Sequence, residues 1–289
     1  VARLLERGSH GMLRSTLHPL SPQAWSTYET GVNPGKHGVY DWFQLNLGPF
    51  TPIGAHSLRV KPFWRYLSDA RGRPVVAINL LTAYPPLPVN GAVIAGRMAP
   101  PGARFTWPPS LQEELGREAP GYVVDTDPSQ GTQYRDMSAS EYWQRNMEMV
   151  DARTRAARYV LAQYPWDVAT IIYTATDIIQ HYYWKYWDPR FPEHDPNDPL
   201  ADALPAIYEA CDRGLGTLID QAGDDAHVIL LSDHGFGPTH QEANLMAWLR
   251  EQGFATPLRR ASGLPSGGEI LAGLRRWAWS ALPGPVLRQ

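Results

Sequence analysis

The sequence predicts an α/β fold, with a mostly parallel central sheet, flanking helices and an irregular cap insert. Three observations carry that expectation. Apolar runs of strand length at 74–80, 168–174 and 227–231 alternate with segments of helical period. The runs are apolar throughout rather than alternating, as strands covered on both faces are. Two of them lead into an acid and a histidine, in Asp177-Ile-Ile-Gln-His181 and in Asp233-His234-Gly235-Phe236-Gly237. Open α/β sheets carry their ligands beyond the carboxyl ends of their strands.

Residues 1–8 read as the tail of a helix stopped at Gly8, and Gly11 to Ser15 as a short candidate strand. A Ser/Pro/Thr-rich loop from Thr16 to Pro34 follows, with a helix at Gln23–Glu29. Its start is favourable, with Ser21 as N-cap and Pro22 at the first helical position. Asn33-Pro-Gly-Lys-His-Gly38 is turn chemistry. Lys61 to Ala70 is a helix closed by Arg71-Gly72, and Pro74 to Leu80 is a strand. Residues 82–135 are dense in Pro and Gly and read as a substrate-facing cap insert. From Ser138 to Gln163, Tyr142, Met147, Met149, Val150, Ala157, Val160 and Leu161 fall mostly on one broad helical face. After the strand at 168–174 come an aromatic helix from Asp177 to about Tyr186 and a Pro/Asp loop over 188–200. A helix at Leu204–Ala222, the strand His227–Leu231 and a helix at Asn244–Gln252 complete the order. There is no internal repeat.

Length and composition set the bounds. The chain has 289 residues, 43% of them hydrophobic, so a sizeable core forms and whole-chain disorder is excluded. Net charge is −3, with 26 basic and 29 acidic residues, which gives no electrostatic case for duplex nucleic acid. One cysteine, Cys211, excludes an internal disulfide and fits a reducing compartment, so the expected location is cytoplasmic. No run of 18 apolar residues is present to span a membrane as a helix. Both ends look cut: Val1 opens mid-helix without a Met, and Leu282 to Gln289 stops without a closing element. The expectation is therefore one truncated catalytic domain over 1–289, with 82–135 as an insert within it.

Asp177 and His181 are four apart, on one face of a helix and one turn from each other. An Asp oxygen and a His nitrogen so placed bind one ion at roughly 2.0–2.2 Å. The alternative is a carboxylate that caps the helix beside a half-buried imidazole. Asp233 and His234 are adjacent, and adjacent residues of a regular strand point to opposite faces. They converge only where Gly235 and Gly237 break the strand; the alternative is an Asp that satisfies loop amides. Two Asp/His pairs suggest two divalent ions, and two ions suggest phosphoryl or sulfuryl chemistry. Ser21 at a helix start gains from the helix dipole, which favours an alkoxide and an approaching phosphate. Taken alone, it reads first as an ordinary N-cap serine.

Taken in order, these segments resemble the type I phosphodiesterase/nucleotide pyrophosphatase family of the alkaline phosphatase superfamily. The resemblance lies in Ser21-Pro-Gln-Ala-Trp-Ser26, Thr30-Gly31, Pro34, His37-Gly38, Tyr84-Pro-Pro86 with Asn90-Gly91, Asp177 with His181, and Ser232-Asp-His-Gly235. It covers roughly residues 1–250 and implies an alkaline-phosphatase-like fold and a metal-dependent hydrolase of phosphate esters or nucleotides. Ser21 then matches the nucleophile and also touches a metal. Asp177 and His181 match ligands of one zinc, and Asp233 and His234 match ligands of the other. Thr30 and His37 read as loop-building. The implied chemistry is an in-line displacement through a phosphoseryl intermediate, with two Zn²⁺ ions sharing the developing charge.

Three departures stand out. The stretch Val39–Phe43 lacks the family's phosphate-contacting Asn, no Asp precedes Ser21, and no histidine beyond His240 matches the late ligand. His240 is too close in sequence to replace that late ligand. The expected chain therefore binds metal weakly. Substrate choice is expected from residues 82–135 and from the aromatic helix Tyr182–Trp187, most of whose rings read as packing. Phosphomonoesterases and phosphomutases of the same superfamily are the nearest rival readings. A sulfatase does not fit Ser21-Pro-Gln-Ala-Trp25, and a binding module with an incomplete metal set is the rival from another class.

Overall fold

The computed structural model describes residues 1–44, 51–127, 134, 136–239 and 243–256. Along them run α1 (Ala2–Arg7), α2 (Ser21–Thr30), α3 (Pro34–His37), β1 (Phe43–Gln44), β2 (Thr51–Pro52), α4 (Phe63–Arg71), β3 (Val75–Leu80), β4 (Gly91–Ala95) and β5 (Thr106–Trp107). Then follow α5 (Leu111–Glu118), α6 (Ala139–Gln163), β6 (Val168–Ile171), α7 (Ala175–Trp187), α8 (Ala203–Ala222) and α9 (Leu245–Glu251).

The main sheet has the order β5-β4-β3-β6. β3 pairs parallel with β4 and with β6, while β5 runs antiparallel on β4, so the sheet is mixed. All six residues of β3 are buried, because helices cover both faces. Val76, Ile78, Ala92 and Ile94 pack with Leu111 and Leu115 of α5, Ala156, Ala157 and Val160 of α6, and Leu218 of α8. Ala77, Leu80, Val93 and Ala95 pack on the other side with Trp64 of α4, Val39 and Ile53. A third cluster joins α6, α7 and α8 through Met149, Ile178, Ile179, Tyr183 and Ile207. That arrangement explains the unbroken apolar run of β3, neither face of which meets water, while β6 at the sheet edge is only partly buried.

Most of the predicted helices stand. The helix expected at Ser138–Gln163 is α6, begun by a capping box in which Ser138 Oγ accepts from the Glu141 amide and Glu141 returns a bond to Ser138. The helix read at 1–8 is α1, Ala2–Arg7, capped by Gly8.

Four expectations need correction. Gly11 to Ser15 forms no strand; Met12 is fully exposed and no sheet neighbour lies beside it. His227–Leu231 forms no strand either, and Ile229 and Leu230 are 84% and 52% exposed. The run is apolar enough for a sheet, but among the described residues the outer edge of β6 has no strand partner. Instead, β6 and residues 227–231 line a common cavity of about 740 Å³. The stretch 82–135 is less irregular than its Pro and Gly content suggested, since it supplies β4, β5 and α5. Gly91 shows why its glycine hid a strand: φ is 127°, and a Cβ there would stand 2.1 Å from the Val75 carbonyl oxygen. Strand contact thus demands the glycine. Finally, Ser21 is not the cap of α2; Leu20 is, and Ser21 is the first helical residue with its hydroxyl turned to another partner.

Candidate active site

β6 ends at Ile171, and the chain turns through residues 172–174 into α7. Asp177 therefore sits in the first turn of a helix that begins beyond a strand's carboxyl end. The dipole there favours its charge. His181 is one turn on, its Nε2 3.6 Å from Asp177 Oδ1. The Ser232–Gly235 turn brings the second pair to the same place: His234 Nε2 lies 3.3 Å from Asp233 Oδ2 and 3.9 Å from Asp177 Oδ1. Ser21 Oγ completes the group, 3.0 Å from His234 Nε2. The five residues singled out in the sequence are thus brought together from three elements, and Ser21, Asp177, Asp233 and His234 line the 740 Å³ cavity.

The chemistry of the cluster follows from His234. Its Nδ1 is 2.9 Å from the Gly235 carbonyl oxygen, so Nδ1 carries the proton and Nε2 presents its lone pair to the cavity. This is the orientation a backbone carbonyl imposes on ligating imidazoles. It is not a Ser-His-Asp triad, in which the acid holds Nδ1–H; here Asp233 faces the same nitrogen as Ser21. Asp177 Oδ1 and Asp233 Oδ2 are both buried and without a hydrogen-bond partner. Burial, with the Asp177 charge adding to it, raises the pKa of Asp233 against the lowering effect of His234. Oxygens left bare in this way fit a cation. The fit is partial: among the described residues, no group of three or more His, Cys, Asp or Glu is arranged to hold an ion. His240 lies outside the described residues.

α2 is pinned along its length. Gln23 Nε2 donates to the Tyr40 carbonyl at 2.8 Å, and the Tyr28 hydroxyl bonds Thr170 of β6 at 2.8 Å. Glu29, fully buried, accepts from Trp64 Nε1 at 3.2 Å and from the Thr82 amide at 3.4 Å. Burial pushes its pKa up to about 7. His37 is also fully buried, bonded to Thr27 Oγ1 at 3.1 Å and accepting the Val39 amide on Nδ1, as a loop-building residue would be. Thr30 Oγ1 donates to the Ser26 carbonyl.

Several cavity residues were not read from the sequence. Asn79, at the end of β3, has φ of 67°, a strained conformation for a residue other than glycine. Arg97 lies over the Trp42 ring at 4.6 Å and pairs with Asp127 at 2.7 Å. Phe236 lines the cavity too. From the stretch 82–135, Arg97 reaches the described lining; from Tyr182–Trp187, no ring does. Tyr183 packs instead, 1% exposed and stacked on Tyr142 at 6.4 Å, while Tyr182 and Trp187 stay exposed.

Comparison with curated proteins gives no match, and neither does comparison with solved structures. No helix among the described residues is long and apolar enough to cross a membrane. The profile of the type I phosphodiesterase / nucleotide pyrophosphatase family matches residues 1–281. The chain belongs to that family, and with it to the phosphate-ester hydrolases.

Proposed function

We propose that this chain is a metal-dependent phosphodiesterase or nucleotide pyrophosphatase that works through a phosphoseryl intermediate on Ser21, within one alkaline-phosphatase-like catalytic domain. One observation carries the reading. Ser21 Oγ, Asp177 Oδ1 and Asp233 Oδ2 converge on the lone-pair side of His234 Nε2, and no donor satisfies either carboxylate oxygen. Asp177 with His181, and Asp233 with His234 and the Ser21 oxygen, would hold two divalent cations. The mixed carboxylate and imidazole donors suit zinc. When bound, such ions stabilise charge on the phosphoryl oxygens and lower the pKa of the serine hydroxyl.

The chain's own part is positional. α2 fixes Ser21 at its first turn, where the helix dipole favours an anionic phosphoryl group. Ser21 Oγ bonds to phosphorus as the ester's leaving oxygen departs with the bond pair and takes up the serine proton. Water then attacks phosphorus, its hydroxyl stays on the phosphate, and its other proton restores the Ser21 hydroxyl. The cavity, at about 740 Å³, has room for a nucleotide-sized ester.

Zinc-loaded protein quenched during turnover of an aryl phosphodiester should yield a peptide phosphorylated at Ser21 by mass spectrometry. Ser21→Ala should lower that turnover by at least about a thousandfold, ~4 kcal/mol of transition-state stabilisation. Its unfolding midpoint should barely move, because the variant loses one part-buried hydrogen bond worth about 1 kcal/mol. Diester hydrolysis at the wild-type rate by Ser21→Ala would remove the serine from the mechanism. A parallel assay of aryl monoesters separates a diesterase from a monoesterase.

A further inference from the structure

Metal-ligating histidines normally have the ring's other nitrogen hydrogen-bonded, which fixes the ring before the ion arrives. His234 has such a bond; His181 does not. Among the described residues no hydrogen bond holds the His181 ring, its 3.6 Å contact with Asp177 is too long for one, and its side chain is 59% exposed. An exposed imidazole on a helix turns freely among rotamers. One contact restrains it. The Phe236 ring meets the His181 ring at 4.7 Å between centroids and 85°, an edge-on packing. Phe236 is itself backed by Trp184, stacked at 5.6 Å and 23°. The Trp184 indole N–H donates to Asp188 Oδ2 at 2.9 Å, and Arg190 grips that carboxylate through Nε and Nη2.

We propose that Phe236 is the positioning residue for His181, orienting its imidazole toward Asp177 in place of a hydrogen bond. The proposal rests on the metal reading above. Phe236 follows His234 by two residues and packs on a side chain of the other Asp/His pair. It therefore also sets how the Ser232–Gly235 turn lies against α7. Aromatic pairs of this geometry are worth about 0.5–1.5 kcal/mol, enough to select one rotamer of an exposed ring.

The test compares Phe236→Leu, which keeps apolar volume but loses the ring, with Phe236→Tyr, which keeps the ring. Zinc affinity is measured by competition with a chromophoric chelator, and the His181 imidazole signals by NMR of the metal-free protein, assigned with His181→Gln. Phe236→Leu should bind zinc about two- to tenfold more weakly. Its His181 signals should shift as the neighbouring ring is lost. Phe236→Tyr should match the wild type in both, and unfolding midpoints of the two variants should agree. Wild-type affinity in Phe236→Leu, equal weakening in both variants, or unmoved His181 signals would each overturn the proposal. A wild-type protein that takes up no zinc would overturn the metal reading itself, a result distinct from zinc uptake that ignores Phe236.

Discussion

Glu29 and Ser21 lie on the same helix, and their surroundings ask opposite things of it. Ser21 faces a cavity lined by polar and apolar groups, while Glu29 sits eight residues on, at 0% exposure, among neutral donors. A carboxyl so placed keeps its proton longer in the folded state than in the unfolded chain. Its contribution to stability is therefore full below the ordinary value of 4.5 and is lost as the pH rises through about 7. Glu29→Gln fixes the neutral state. Relative to this variant, the wild type should lose about 3 kcal/mol of stability between pH 4.5 and pH 7. Urea unfolding of both proteins across that range is the check; parallel curves would mean that Glu29 does not titrate there. Ser21, Asp177, His181, Asp233 and His234 stood out in the sequence through the motifs that resemble the family's, and the structure draws these five residues together. The sequence did not show Glu29 or Phe236, because a lone carboxylate on a helix and a lone ring in a loop gain meaning only from partners far along the chain, Trp64 and Thr82 for one, His181 and Trp184 for the other.

At the scale of elements, long periodic segments were legible. α6 and α8 fall within a residue of their predicted limits, since each holds several turns of one-sided apolar pattern. Strands were legible where the apolar run is unbroken, as at β3 and β6, and hidden where Pro and Gly crowd it. β4 is five residues, Gly-Ala-Val-Ile-Ala, inside a stretch whose Pro and Gly content hid it. The reverse error befell His227–Leu231: composition marks an apolar run, but pairing needs a neighbour at the right edge. Helix packing also sets limits that composition does not show. Where α8 crosses α6, a Cβ on Gly214 would stand 2.6 Å from Thr154 Oγ1 and 2.9 Å from the Tyr173 hydroxyl, two groups already bonded to each other at 2.8 Å. Gly216, two residues on in the same helix, would meet only Arg3 Nη2 at 3.6 Å. Both substitutions to Ala gain up to about 1 kcal/mol of helix propensity. Gly214→Ala should nonetheless lower stability by about 1–2 kcal/mol through overpacking. Gly216→Ala should raise it, and chemical denaturation of the two variants side by side decides the matter. A stabilised Gly214→Ala would mean that α6 and α8 separate at little cost.

For the molecule as a whole, the unequal attachment of its parts matters most. β3 and β4 are buried and laddered, and they answer to global unfolding. Residues 227–236 are joined to the rest differently. Ser15 Oγ donates to the Asp233 carbonyl, Ser21 bonds His234, and Phe236 packs on His181 and Trp184, while Val228, Ile229 and Leu230 remain exposed beside the cavity. The segment that carries Asp233 and His234 is thus held mainly by the site it helps to form. A cation held by Asp233, His234 and the Ser21 oxygen would tie this segment to α2, and binding that a local opening disrupts stabilises against that opening by RT ln(1 + [L]/Kd). With zinc at one hundred times its dissociation constant this is about 2.7 kcal/mol, or roughly a hundredfold. Amide hydrogen exchange of residues 228–234 should therefore be fast without metal and slow by up to about a hundredfold with zinc. Exchange in 75–80 should change far less, because the ladder opens by a route the ion does not guard. Equal slowing in both segments would show that zinc acts on the fold as a whole. No slowing at 228–234, in protein shown to have bound zinc, would show that Asp233 and His234 are not among its ligands.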